Sequence, residues 1–248
     1  MNESNVVLEV NEITQVFGGL TALKNLSLKA SAGMVSGIIG PNGAGKTTLL
    51  NIISGLQKPS KGKVVVSGAD VTHWLSDRLS RDAKVARTFQ TAKLFPTMSV
   101  WENVLVAAGT RQSSKSAVTE STQSLIQQFN LENYASAIAS GLPYGVQRRV
   151  EIARALATNP VLFLLDEPAA GLNMEDKAKL GKILLEVAKD GVAVVLVEHQ
   201  MDLVRATCTN LIALDFGEVI AEGTVDEVLA DPNVVRAYVG VSRGTEED

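Results

Sequence analysis

The stretch "GPNGAGKT", residues 40–47, fits the pattern G-x-x-x-x-G-K-[S/T]. It lies between an apolar run that reads as a buried strand, "MVSGIIG", and an apolar-faced helix, "KTTLLNIISGL". A glycine-rich turn between strand and helix is the context in which this pattern holds phosphate. Glycines turn backbone N–H groups inward around anionic oxygens, and the helix N-terminus adds its dipole. The expected nucleotide contacts are Asn42, Gly43, Ala44, Gly45, Lys46, Thr47 and Thr48. Lys46 would reach the β- and γ-phosphates of ATP, and the Thr47 hydroxyl would ligate Mg²⁺.

Three further stretches belong to the same chemistry. "VLFLLDEP" ends an apolar strand in two carboxylates, of which Asp166 suits a Mg²⁺ shell, because Mg²⁺ takes few protein oxygens and keeps waters. Glu167 is placed to accept a proton from the attacking water or to orient it. His199 ends the next apolar strand, "VAVVLVEH", and Gln90 closes the strand-like "VARTFQ". In open α/β sheets ligands bind at the carboxyl ends of the strands, so these residues can converge on one nucleotide. There Gln90 either completes the Mg²⁺ shell or holds the water, and His199 donates to the γ-phosphate. The implied reaction is phosphoryl transfer to water by positioning and charge stabilisation.

The 248-residue chain suffices for one large α/β domain, and its net charge of −4 argues against a nucleic-acid partner. Cys208 is the one cysteine, which excludes an internal disulfide, suits a reducing cytosol and reads as a buried, inert thiol. The opening "MNESNVVLEV" lacks a basic region followed by an apolar core, so no signal peptide is expected. The apolar runs fall far below the ~18 residues of a membrane span.

Strands alternate with helices, which predicts a mainly parallel sheet covered on both faces, a P-loop NTPase (RecA-like) core in the α/β class. Residues 6–28 read as an N-terminal antiparallel part with a turn at Gly18-Gly19, and "GKVVVSGADV" as one further strand. The expected division is 1–90 and 156–225 as nucleotide-binding core with its β part, 91–155 as an inserted helical subdomain, and 226–248 as a C-terminal helix and tail. Within the insertion, "GTRQSSKSAVTESTQS" reads as a solvated loop or helix connection. "LPYGVQRRVEIARALA", residues 142–157, reads as a loop entering a helix that opens on two arginines, with Glu151 and Arg154 off its apolar face. "LIALDFGEVIAEG" reads as a hairpin, followed by a short helix.

These motifs, in this order over nearly the whole length, resemble the ATP-binding subunits of ABC transporters. "VFGGLTALKNLSL", "ARTFQTAKLFPTMSVWENVLVA", "LPYGVQRRVEIARALATNP", "LLDEPAAGLN", "VEHQMDLV" and "DFGEVIAEGT" are most similar to the branched-chain amino-acid importer branch. The resemblance implies a pair of ATPase subunits, identical or sister chains, beneath two membrane permeases at the cytoplasmic face of the cell membrane. A substrate-binding protein would serve the permeases indirectly. It implies that each ATP lies between the P-loop of one subunit and the signature loop of the other, which here is Pro143, Tyr144 and Gly145 within "LPYGV". It also implies that Phe17 stacks on adenine and that residues 91–104 receive a short permease helix, with Phe95, Met98 and Trp101 as candidate groove residues. The chain departs from the family at Pro143, Tyr144 and Val146, which replace serine, glycine and glutamine, and at Asn173, where many relatives carry aspartate. A lipid or lipopolysaccharide exporter and a non-transport ABC switch protein are the alternatives such motifs allow.

Overall fold

The computed structural model describes residues 5–89, 93–112 and 114–239. Gln90 and the acidic tail lie outside the described residues. Strands β1 (Val6–Phe17) and β2 (Leu20–Ser31) form the antiparallel hairpin, β3 (Val35–Ile39) precedes the P-loop, and α1 (Lys46–Ile53) follows it. Next come β4 (Lys61–Val66), β5 (Ala69–Asp70), α2 (Ser76–Asp82) and β6 (Val85–Arg87), and then α3 (Val100–Ala108), α4 (Lys115–Gln128) and α5 (Tyr144–Leu156). The chain continues through β7 (Leu162–Asp166), α6 (Met174–Lys189), β8 (Ala193–Val197), α7 (Met201–Thr207), β9 (Asn210–Asp215) and β10 (Glu218–Gly223), and closes on α8 (Val225–Ala230) and α9 (Pro232–Val239).

Two sheets result. One is antiparallel, in the order β2-β1-β4-β5; the other runs β10-β9-β3-β8-β7-β6 and is parallel except for β10. Every residue of β3, β7 and β8 is buried, as a sheet covered on both faces requires. Alternate residues serve opposite layers. Phe163 and Leu165 of β7 face the core formed with α3, α5 and α6, whereas Leu162 and Leu164 face the core shared with α1 and the antiparallel sheet. The parallel order β3-β8-β7 brings three consecutive strand ends to one edge, and that edge carries the P-loop, the Asp166-Glu167 pair and His199.

Four details differ from the sequence reading. "GKVVVSGADV" is two short strands joined at Ser67-Gly68, where both residues have positive φ. The Ser/Thr-rich stretch is mostly helix α4. Ser114 caps it by accepting from the Ala117 N–H, and the Thr119 and Thr122 hydroxyls donate back to the Lys115 and Val118 carbonyls. Ile126 and Phe129 join the helical core and Thr122 is buried beside its own turn, a buried face hidden by its polar neighbours. Strand β8 stops at Val197, so His199 lies in the turn beyond it. The C-terminal region holds two short helices, of which α8 starts with a reciprocal capping box between Thr224 and Glu227.

Strand β7 lies between β8 and β6 and is buried along its whole length. Leu164→Ala, at a wholly buried position, should cost about 2–5 kcal/mol. A thermal unfolding midpoint unchanged by that substitution would contradict the packing described.

Candidate functional site

The P-loop leaves β3 and re-enters regular structure at Lys46. Gly43 and Gly45 have φ of 83° and 100°, the left-handed backbone that opens a concavity of N–H groups toward the start of α1. Asn42, Gly43 and Thr47 are exposed on that concavity, Thr48 is half-buried, and Ala44 is packed beneath it. Lys46 is buried; its Nζ donates to the Gly40 carbonyl at 2.7 Å and to the Pro41 carbonyl at 2.9 Å. Burial pulls its ammonium below the usual lysine range, and the nearby Glu167 and Asp166 carboxylates oppose that shift.

Asp166 closes β7, and its carboxylate is held by a residue that sequence reasoning did not single out. Arg87, at the end of β6, donates to Asp166 Oδ2 at 3.1 Å and also to Asn51 Oδ1 and Ser54 Oγ, each at 2.8 Å. Both members of the pair are buried. Desolvation raises the Asp166 carboxyl above its ordinary range, against the pull of Arg87. Glu167 has φ of 45°, a strained conformation for a side chain of its size. Its N–H donates to the Val197 carbonyl at 2.9 Å, which fixes the start of its loop to β8. Glu167 Oε1 lies 3.8 Å from His199 Nδ1, too long for a hydrogen bond but close enough to place both groups in one corner. Phe17 is exposed at the tip of the β1–β2 hairpin, and Ala22 and Leu23 of that hairpin abut Gly45.

The "LPYGV" loop is the N-terminus of α5. Pro143 has no N–H, and the first ladder bonds run from Val146 and Gln147 to the Pro143 carbonyl, so the Tyr144 and Gly145 N–H groups precede the ladder. Tyr144 packs over Gly171, and the Asp176 carboxylate lies against Gly145, where a Cβ would stand 2.6 Å from Oδ2. Val146 is buried in the helical core, which accounts for an apolar residue at that position. Asn173 caps α6 by accepting the Asp176 N–H at 2.8 Å.

The two arginines that open the helix do not face this loop. Arg148 is 1% exposed and donates to the carbonyls of Phe89, Asp166 and Pro168 and to the Glu151 carboxylate. Glu151 is likewise buried and accepts from the N–H groups of Phe89 and Lys93, on either side of Gln90. Arg149 donates to the carbonyls of Phe129 and Asn130. An i, i+3 pair of opposite charge on a helix otherwise apolar at that face is the signal for the Arg148–Glu151 clamp. The reading of Glu151 as off the buried face is thereby corrected.

A groove of about 870 Å³ opens between the core and the helices, lined by Arg81, Phe89, Leu94, Phe95, Arg111 and Arg154 among others. Met98 and Trp101 are not in its wall; Trp101 packs against the helical core instead. Cys208 is half-buried, and burial pushes its thiol up to about 11, in keeping with an inert group.

Comparison with known proteins agrees with this geometry. The ABC transporter family model matches residues 23–170. The chain belongs to the ABC transporter ATP-binding subunits. A second model, of the branched-chain amino acid ATP-binding cassette transporter, matches residues 218–243 of this ABC subunit. It is 36% identical over 254 residues to the high-affinity branched-chain amino acid transport ATP-binding protein BraF of Pseudomonas aeruginosa, covering 96% of this chain and 99% of the relative. Against LivG of Escherichia coli, another high-affinity branched-chain amino acid transport ATP-binding protein, it is 34% identical over 253 residues, with coverage of 96% and 99%. Among solved structures, a nucleotide-free ATP-binding cassette superposes with a TM-score of 0.85 at 31% identity, covering 95% of this chain and 99% of that one. A dimeric post-hydrolysis cassette bound to ADP and Pi gives a TM-score of 0.78 at 31% identity, covering 88% and 98%.

Arg87 supplies a test of the electrostatics. Replacing Arg87 with Met removes a positive charge beside a buried carboxylate, so the Asp166 carboxyl should rise further. The acid limb of the ATPase pH–rate profile should therefore move to higher pH. A limb that stays in place or moves to lower pH would show that Arg87 does not hold Asp166 ionised.

Proposed function

We propose that this ABC subunit is the ATP-hydrolysing component of an importer for branched-chain or other hydrophobic amino acids. It would work as a pair of ATPase subunits, identical or sister chains, peripheral to two permeases at the cytoplasmic face of the cell membrane. A substrate-binding protein would deliver the amino acid to the permeases without touching this chain. The observation that carries the reading is the assembly of Lys46, Asp166, Glu167 and His199 at one sheet edge, in a chain whose 218–243 segment matches the branched-chain cassette model. Among the described residues no helix is long and apolar enough to cross a membrane, so coupling to transport requires a partner that does.

The chemistry follows from the residues in place. Lys46 exchanges the Gly40 and Pro41 carbonyls for β- and γ-phosphate oxygens, while the N–H groups of residues 42–48 cradle the phosphates. The Thr47 hydroxyl and the Asp166 carboxylate are an all-oxygen donor set of the kind Mg²⁺ takes, and Gln90 either adds to it or holds the water. When bound, Mg²⁺ would neutralise charge on the phosphates. Glu167, fixed by its N–H to Val197, takes the proton of the attacking water or orients it, and His199 donates to the γ-phosphate. Phe17 offers its exposed ring to adenine. In the paired state the Pro143–Tyr144–Gly145 corner of one subunit meets the γ-phosphate held by the other. Helix α5 carries that corner, and the groove with Leu94 and Phe95 in its wall seats a permease segment. ATP binding closes the pair, hydrolysis reopens it, and the permeases convert the cycle into alternating access.

Glu167→Gln should bind ATP and lose turnover by ~10²–10⁴, accumulating as a dimer in size-exclusion chromatography with ATP. Lys46→Ala should lose tight ATP binding by calorimetry, whereas His199→Ala should keep it and hydrolyse slowly. Cells lacking the chain should lose uptake of radiolabelled leucine and regain it with the parental protein but not with Glu167→Gln. Unchanged leucine uptake, or co-purification with ribosomes in place of permeases, would overturn the transport reading.

A further inference from the structure

Glu198 precedes His199 and is 0% exposed, yet among the described residues the only basic side chain within 4 Å of it is that of its neighbour, with Nδ1 at 3.5 Å. Its carboxylate is spent on backbone. Oε1 accepts from the N–H groups of His199 at 2.9 Å and Gln200 at 3.2 Å, and Oε2 accepts from the N–H of Ala169 at 3.3 Å. Gln200, on the other side of the histidine, donates from Nε2 to the Ala169 carbonyl at 3.2 Å. Both polar backbone groups of Ala169, itself wholly buried, are therefore engaged by the two side chains that flank His199, and its carbonyl also accepts the Leu172 N–H at 3.1 Å. Ala169 sits in the turn that starts at Glu167 and ends at Asn173, the cap of α6.

A carboxylate buried without an arginine or lysine partner is expensive unless every lone pair is used. A strand end could be finished far more cheaply by an apolar residue or a serine. What the carboxylate adds is reach: it joins the turn after β8 to the turn after β7, and Gln200 closes the second half of the same join. His199, by contrast, is half-exposed, with its Nδ1 3.5 Å from Glu198 Oε1 and 3.8 Å from Glu167 Oε1, both longer than a strong hydrogen bond. Its position is set through its backbone.

We propose that Glu198 and Gln200 are positioning residues for ATP hydrolysis. They splint the His199 turn to residues 167–173, so that the histidine, the base candidate Glu167 and the turn leading to Asn173 shift as one piece when phosphate is engaged. The inference rests on the role of His199 given above. It assigns neither Glu198 nor Gln200 any contact with substrate; both act through the geometry of their neighbours.

The test is a double-mutant cycle read in kcat and KM. Glu198→Gln and Gln200→Leu should each lower kcat by about tenfold, the scale of one or two hydrogen bonds lost from the transition state. The KM for ATP should stay within about twofold, because phosphate binding belongs to the P-loop. In a His199→Ala background neither change should lower kcat further, since the group being positioned is gone. Equal factors in both backgrounds, or a lowered melting temperature with unchanged kcat, would overturn the proposal and leave a merely structural join. Gln200 is only half-buried, so Gln200→Leu decides the question even if Glu198→Gln does not fold. A His199→Ala variant hydrolysing at the parental rate would instead overturn the role of His199, and this inference with it.

Discussion

The two sheets meet at a seam where backbone touches backbone. A Cβ on Gly45 would stand 2.8 Å from the Ala22 carbonyl oxygen, and one on Gly217 would stand 2.5 Å from the same atom. Hydrogen bonds finish the seam: Gly217 donates to the Ala44 carbonyl, and Lys24 donates to that of Gly217. The start of α1, the β1–β2 hairpin and the β9–β10 turn are thus held together at distances that no larger residue permits. The aim of the P-loop N–H groups follows from this contact, because the loop is gripped from both sides by main chain. Phosphate geometry in such a site is a consequence of how the sheets pack, and side-chain identity matters chiefly where a charge is needed.

Charges gather where the sheet ends, and each carries a desolvation penalty. Lys46 meets it by donating to two carbonyls with the Asp166 and Glu167 carboxylates nearby. Asp166 meets it through Arg87, which in turn spreads its donors over Asn51 and Ser54. Removing one member leaves another buried and uncompensated, which is the destabilising case for internal ion pairs. Arg148 and Glu151 repeat the pattern at the entrance to the helical part, tying α5 to the carbonyls of Asp166 and Pro168 and to the backbone at Phe89 and Lys93. The sheet edge at Asp166 and helix α5 therefore share a polar framework that lies beneath the solvent-facing residues.

The parts legible in the sequence were those with one local physical cause. Continuous apolar runs gave β3, β7 and β8, and the glycine-lysine turn gave the phosphate loop, because each signal lies within a few consecutive residues. The parts that escaped depend on partners far along the chain. Arg87 reads as an ordinary strand-end cation until Asn51, Ser54 and Asp166 surround it. Glu151 looks solvent-bound by type, and only the fold shows that Arg148 at i−3 and two N–H groups accept it into the core. Helix α4 was hidden for the opposite reason: its serines and threonines suggest a loop, whereas hydroxyl bonds to preceding carbonyls and a buried Thr122–Ile126–Phe129 stripe make it helical. Gln90 lies outside the described residues, so its place rests on sequence alone.

The departures in "LPYGV" are absorbed by packing. Val146 fills the helical core and Tyr144 covers Gly171, while outside this loop Asn173 caps α6. What faces outward is a helix N-terminus worth roughly half a positive charge, with the full negative charge of Asp176 lying against Gly145. On balance this corner is not, by itself, an attractive site for an anion. Under the proposed pairing, a γ-phosphate placed here would owe its position to the Lys46 ammonium and N–H cradle of the opposite subunit. The Tyr144 and Gly145 N–H groups would supply direction at short range, where hydrogen-bond geometry outweighs the net field. A signature loop built this way would recognise a phosphate already held in place, and would contribute little to capturing a free one.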